Sequence, residues 1–449
     1  MKFNHIYKHI QPKQTVSSYR PVSVSNNFLK IFETLIYNQL NAFVEKNCII
    51  PDIQYGFRGG VSTGNQLIDL IYDISNAFND KKLICVDLVF LDYSSAFDTI
   101  NHSILFNELY NIGIRGNALE VLKNLYFNRK QVIKYENSFS QPFVPTSGVA
   151  QGSIISPLLF NIYVRNIYKS INFSKIKQFA DDIVIYKSIY VKNDTKLLQN
   201  DLINVFNWST NNKLKLNPSK SIHLRITTKR LIDLNTYNID NTDIPSVTEH
   251  KHLGVILDNK LSFNENVNYI YKNCIRKWTS LKRICNFADY KTLLELYKTY
   301  IMPIIEYCNH IWVPTLIQIR KIESIQRHIT KYICLKSGNN NLNYIQGLEF
   351  LDLKPLIVRK KLKVLKITFR TIYDYKDIPI SWKKLLIINK TRNGVLVQQI
   401  HNRINLCDNN LFAMSSKLFN SLPINIRKCS KFIKLSEIFL IEFINTYKM

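Results

Sequence analysis

The residues best suited to chemistry in this chain of 449 residues are three aspartates. Asp92 closes the apolar run 83–91, and Asp181 and Asp182 stand side by side inside "KQFADDIVIY" (177–186). Hard divalent cations such as Mg²⁺ favour carboxylate oxygens combined with water or substrate phosphates over a full protein cage. Two such ions, about 3.5 to 4 Å apart, clamp the attacking and leaving oxygens of an in-line phosphoryl displacement. Without a cation, three clustered carboxylates repel one another and some take up protons near neutral pH. The two acidic sites lie 89 residues apart, so a sheet edge must bring them together.

The elements needed for this are legible. "KKLICVDLVFLDYSSAFD" (81–98) holds an almost wholly apolar, β-branched run, as a central strand does, and that run ends at Asp92. The stretch 177–186 reads as a β-hairpin with its acids at the tip, because Asp favours turns and disfavours strands. Helical spacing is expected over 28–47, after the glycine-rich turn in 54–67, over 101–111 up to Gly113, over 116–128 and over 196–212. Within 147–168 a glycine-bracketed loop leads into a helix, with Ser156 expected as its cap and Pro157 in its first turn. Strands are expected near 222–227 and 250–257. Beyond Leu261 the pattern is mostly helical, clearest over 293–312, and the chain ends in the amphipathic "FIKLSEIFLIEFI", too short to span a bilayer.

Composition narrows the class of partner. Sixty Lys+Arg against 33 Asp+Glu give a net charge of +27, which points to a polyanion, nucleic acid before anionic membrane. The excess is uneven: residues 1–200 carry +6 and residues 201–449 carry +21, so the back half is expected to grip phosphates. An A/T-rich coding bias, also visible in the many Asn, Ile and Tyr residues, accounts for part of it. The eight cysteines form no C-x-x-C pair, which excludes zinc fingers and suggests free thiols. The start lacks a signal-peptide core and no run of 18 apolar residues occurs, so a soluble, intracellular protein is expected.

Taken in order, "YRPVSVSNNFLKIFE", "QYGFRGG", "FLDYSSAFD", "SGVAQGSIISPLLFNIY", "FADD", "NKLKLNPSK" and "HKHLGVILD" resemble the signature blocks of a reverse transcriptase of the non-LTR, jockey/CR1-type retrotransposon branch. The resemblance spans residues 19–258 and continues more weakly toward the C-terminus. It implies an α+β right-hand polymerase with fingers, a palm of antiparallel sheet backed by helices, and a helical thumb. The implied organisation is fingers and palm over 1–258, thumb or connection over 259–345, and a basic, RNA-binding region over 346–449.

By the same resemblance Asp92, Asp181 and Asp182 are the catalytic, metal-binding acids, served by two Mg²⁺ ions with Mn²⁺ as a substitute. Phe97 matches the steric gate that excludes a ribose 2′-hydroxyl, and Gln151 and Gly152 match the loop touching nucleotide and template. Arg20 matches a triphosphate-holding fingers residue, and Lys220 a lysine that protonates departing pyrophosphate. Asp98 is expected to cap the next helix. Ala150 stands where relatives usually carry proline, and Phe179 where tyrosine is more frequent. The implied partners are an RNA template, a DNA primer or target DNA, and dNTPs, with no membrane. Nucleus and cytoplasm are the implied compartments, and no oligomeric state is assigned. Set against such elements, the chain is expected to be N-terminally truncated, with Lys8 near the place of the first fingers lysine. The alternative reading is an inactive relic that only binds RNA.

Overall fold

The computed structural model describes residues 2–7, 19–127, 129–135, 137–229, 234–373, 382, 386–391, 394–398 and 410–427. Lys8 and the stretch 432–444 lie outside the described residues. The chain divides into two compact units. The first comprises Met1–Ser62, Ile84–Arg225 and Lys229–Val247, and the second Thr63–Leu83, Ile226–Thr228 and Thr248–Met449.

The strands of the first unit are, in chain order, β1 (Lys2–Tyr7), β2 (Tyr19–Val24), β3 (Cys85–Leu91), β4 (Val132–Tyr135), β5 (Ser138–Phe139), β6 (Lys175–Phe179), β7 (Asp182–Ile189), β8 (Ile222–Ile226), β9 (Asn238–Ile239), β10 (Thr242–Asp243) and β11 (Ser246–Val247). A five-stranded sheet runs in the order β11-β8-β3-β7-β6. Its centre, β3, is buried at every residue, as its apolar sequence requires. β3 pairs antiparallel with β7 from Cys85↔Ile189 to Leu91↔Ile183, and β6 closes on β7 as the expected hairpin. The helices His102–Asn111, Ser156–Val164 and Asn193–Asn211 supply Leu105, Leu109, Leu159, Ile162, Leu202 and Val205 to the core that covers the sheet. Burying each such side chain stabilises the fold by roughly 1.5–3 kcal/mol. A second sheet, in the order β2-β1-β4-β5, brings β1 between β2 and β4.

A charged residue sits in the middle of the central strand. Asp87, fully buried in the middle of β3, accepts a two-pronged hydrogen bond from Arg225 (Nε and Nη2, both 2.8 Å) and one from Tyr237 Oη at 2.7 Å. Burial pushes its pKa up, but Arg225 and the neighbouring His223 outweigh that and hold the carboxyl well below the usual range.

Two expected caps are corrected. Asn101 caps His102–Asn111 by accepting from Ile104 N at 3.1 Å, which leaves Asp98 for another task. Ser156 is the first residue of its helix and has no capping bond there; its hydroxyl lies 3.2 Å from Tyr126 Oη.

The second unit is mainly helical, as expected beyond Leu261. The helices Asn264–Ile284 and Leu316–Lys336 pack together, and Phe263 stacks on Trp312 at 5.0 Å. The strand expected over 250–257 is a hairpin, β12 (Glu249–His252) with β13 (Val255–Asp258). The helix expected over 293–312 is broken. Tyr290–Leu296 passes into a π-turn at Tyr297–Ile301, then into the short helix Met302–Glu306, and Cys308 turns to φ 48°. Pro303 has no N–H and its ring crowds the carbonyl four residues back, a conflict the wider π-turn absorbs. Among the described residues six cysteines are free, and no helix is long and apolar enough to cross a membrane.

Candidate active site

Asp92 lies one residue beyond β3, and Asp181 lies in the turn between β6 and β7. The antiparallel register that ends at Leu91↔Ile183 carries Asp92 to the position opposite Asp182, at the sheet edge where Asp181 turns. Burial lifts the Asp92 carboxyl above its ordinary pKa; Lys220 opposes the rise and Asp181 adds to it. Two acids and a lysine from three separate segments therefore share one electrostatic neighbourhood. Asp181 is half-buried and Asp182 exposed.

Backbone bonds fix this edge. Asp92 N–H donates to Ser221 Oγ (3.3 Å), and Asp92 C=O accepts from Asn217 N (2.8 Å). Ser94 N donates to Lys215 O at 2.9 Å, so the "KLKLNPSK" segment is laced to the strand end and delivers Lys220 beside Asp92. The turn of the hairpin is held from outside. Ala180 has φ 56°, a left-handed conformation that costs a residue with a Cβ roughly 1–2 kcal/mol. Gln54, almost fully buried, offsets this by bonding both sides of Ala180: Oε1 accepts from its N–H at 2.9 Å and Nε2 donates to its C=O at 3.4 Å. Gly56 passes so close that a Cβ there would lie 2.3 Å from Ala180 N, and Asn161 Nδ2 holds Gly56 O at 2.8 Å. The "QYGF" block thus clamps the acidic turn through Gln54 and Gly56, a role that no local pattern in the sequence signals.

The remaining candidates sit beside this edge or on the strand tied to it. Phe97 is half-buried, stacks on Phe160 at 4.5 Å and meets Phe57 edge-on at 6.2 Å. Its carbonyl accepts from Val149 N at 2.8 Å, which joins it to the loop holding Gln151. Gln151 Nε2 donates to Asp98 Oδ1 at 2.9 Å, the contact that Asp98 makes in place of a cap. Gln151 C=O accepts from Ser23 N at 2.7 Å, and Gly152 adopts φ 106° where a Cβ would lie 2.7 Å from Ser23 O. Ser23 belongs to β2, which also carries Arg20, paired with Ile6.

The donor set suits a hard cation. The acids at the edge are oxygen donors, and Asp181 raises the pKa of Asp92 as a nearby like charge does. Among the described residues no group of three or more His, Cys, Asp or Glu side chains is placed to hold a metal ion together, so what the edge offers a cation is the pair Asp92 and Asp181. A carboxylate pair with room for substrate phosphates is the arrangement Mg²⁺ prefers.

Comparison with known proteins identifies the family. A family described as reverse transcriptase (RNA-dependent DNA polymerase) matches residues 11–257. "Probable RNA-directed DNA polymerase from transposon BS" of Drosophila melanogaster is 30% identical over 319 residues, covering 68% of this chain and 35% of that protein. The "RNA-directed DNA polymerase from mobile element jockey" of Drosophila funebris is 25% identical, covering 71% and 36%. The chain thus spans about a third of the length of the curated relatives it matches. Among solved structures, telomerase from Candida tropicalis with a telomeric RNA fragment gives a TM-score of 0.42 at 11% identity, covering 100% of this chain and 64% of that one. The family match takes in more than half of the residues and includes every segment that meets at the acidic edge, so the resemblance of the motif blocks holds: the chain belongs to the reverse transcriptase (RNA-dependent DNA polymerase) family, in its non-LTR, jockey-type branch.

Proposed function

We propose that this chain is an RNA-directed DNA polymerase that transfers nucleotides from dNTPs to the 3′-hydroxyl of a DNA primer on an RNA template. The supporting observation is the meeting of Asp92, Asp181 and Lys220 at one sheet edge. Asp92 and Asp181, with Asp182 adjacent, are the residues that would hold Mg²⁺, with Mn²⁺ as a substitute. When bound, the ions activate the primer hydroxyl and balance charge on the phosphates. The protein's own part is placement. The Gln54 clamp holds Asp181 at a fixed height, and the Asn217 and Ser221 bonds hold Asp92. Gln151 and Gly152 offer a braced loop to nucleotide and template, and Arg20 is the residue proposed for the triphosphate. Lys220 gives its proton to pyrophosphate as the bond to the α-phosphorus breaks. Residues 1–258 supply fingers and palm, 259–345 a thumb, and 346–449 an RNA-binding region. Priming uses nicked target DNA in the nucleus.

The direct test is extension of a DNA primer on RNA by the purified chain with dNTPs and Mg²⁺. Salt-sensitive RNA binding with no extension would overturn the reading.

Two variants probe separate roles. Phe97→Ala opens the wall against which the sugar of the nucleotide would rest, so ribonucleotide incorporation should rise by roughly 10-fold or more, about 1.4 kcal/mol of lost discrimination. Unchanged selectivity would remove Phe97 from that role. Lys220→Gln removes a cation that lowers the pKa of Asp92. The acid limb of the pH–extension profile should therefore move to higher pH. An acid limb that stays in place would mean that Lys220 does not act on Asp92 during turnover.

A further inference from the structure

The second unit carries an exposed tip that the polymerase reading does not use. Residues 285–289 join the helices Asn264–Ile284 and Tyr290–Leu296, and at this tip Phe287 is 100% exposed and Ile284 80% exposed. A large aromatic ring left wholly in water calls for an occupant. Its surroundings are cationic. The helix leading to it presents Lys272, Arg276 and Arg283 on one face to solvent, and among the described residues no ion pair neutralises any of them. Glu265, in the first turn, is the single acid of that helix. Lys336, from the end of Leu316–Lys336, reaches in to donate to Asn286 O at 3.0 Å. Asp289, the acid within the tip, is committed to capping the next helix through Thr292 N at 2.9 Å.

From Lys272 to Arg283 the basic face runs about 17 Å along the axis at 1.5 Å per residue. A row of unneutralised cations of that length ending in a bare aromatic ring is the pairing found where a backbone of phosphates is gripped and a base is stacked. A bilayer surface fits less well. An interfacial helix must offer its whole apolar face, and here that face, with Val267, Ile270, Cys274 and Trp278, is turned into the core. The interior of a duplex, where every base is stacked on both sides, gives Phe287 no free base face.

We propose that this tip binds single-stranded nucleic acid, with the basic helix face along the phosphates and Phe287 stacked on an unpaired base. The inference rests on the polymerase reading for its partner class. It is tested without dNTPs, so a failure of polymerisation and a failure of strand binding are read apart.

The experiment measures fluorescence anisotropy of the full chain with a labelled single-stranded RNA, the DNA of the same sequence, and a blunt duplex. Phe287→Ala should weaken single-strand binding by roughly 5- to 150-fold while leaving the salt slope and the thermal midpoint unchanged. Phe287→Trp should bind as the native chain does. Replacing Arg276 by Gln should instead reduce the salt slope by about 0.7. A Phe287-dependent loss on RNA alone names template or transcript as the source, and a loss on DNA alone names the primer or displaced strand; either supports the site. Unchanged single-strand affinity in Phe287→Ala, an equal loss on blunt duplex, failure of Phe287→Trp to bind, or Phe287-dependent binding to phosphatidylserine vesicles in place of nucleic acid would each overturn it.

Discussion

Asp92→Ala is expected to abolish primer extension, by about 10³-fold or more, equivalent to about 4 kcal/mol of transition-state stabilisation. The expectation rests on what the substitution leaves intact. The contacts that fix residue 92 in place, from Asn217 N and to Ser221 Oγ, are made by its backbone and survive the loss of the side chain. What disappears is a half-buried carboxylate that shares its field with Asp181 and Lys220. Removing it also removes a source of repulsion from the edge, so fold stability should hold or rise slightly. RNA affinity in the same preparation should change by less than about twofold, because a single buried acid contributes little to counterion release. Parallel loss of extension and of RNA binding would mean that the variant is misfolded and that the assignment has not been reached. Full extension would exclude Asp92 from the centre.

The second large effect is on stability. Asp87→Ala should lower the unfolding free energy of the first unit by about 3–5 kcal/mol, because it leaves the Arg225 guanidinium without its carboxylate and Tyr237 Oη without its acceptor. Urea denaturation followed by circular dichroism measures this. Asp87→Leu combined with Arg225→Met, which removes both charges, should recover much of the loss; a double variant as unstable as the single one would mean that the pair's charges are not what the fold needs. The pH dependence has a definite sign. Asp87 has a depressed folded-state pKa, so its contribution is full above the unfolded carboxylate value near 3.9 and is lost as pH falls through the folded value. The native chain should therefore lose stability in acid more steeply than the variant.

These two aspartates mark what the sequence made legible and what it did not. Asp92 stood out because it ends an uninterrupted apolar run, and Asp181 because a charged pair within β-rich sequence must occupy a turn. Strand, hairpin and flanking helices all follow from period and from turn chemistry, which are local. Asp87 stands in the same apolar run without a local signal, since its partners are 138 and 150 residues away and leave no periodic trace. Gln54 escaped for the same reason, its bonds to Ala180 spanning 126 residues. The cap at Asn101 in place of Asp98 turned on three residues of boundary, which competing capping side chains make hard to fix. In 293–312 the apolar spacing continues through the break, because a π-turn changes the hydrogen-bond ladder without interrupting the hydrophobic pattern.

The clamp on Ala180 also sets an order of assembly during synthesis. A chain emerging from the ribosome exposes Gln54 and Gly56 long before residues 175–189 are made, so the brace is waiting when the hairpin arrives. The hairpin alone would have to bear an unfavourable backbone angle at its tip, and it gains relief only by docking. Lys220 and its tether at Asn217 come later still. The acidic edge is thus completed from the N-terminal side forward, and a nascent chain released before residue 220 would hold both carboxylates yet lack the lysine that tempers them.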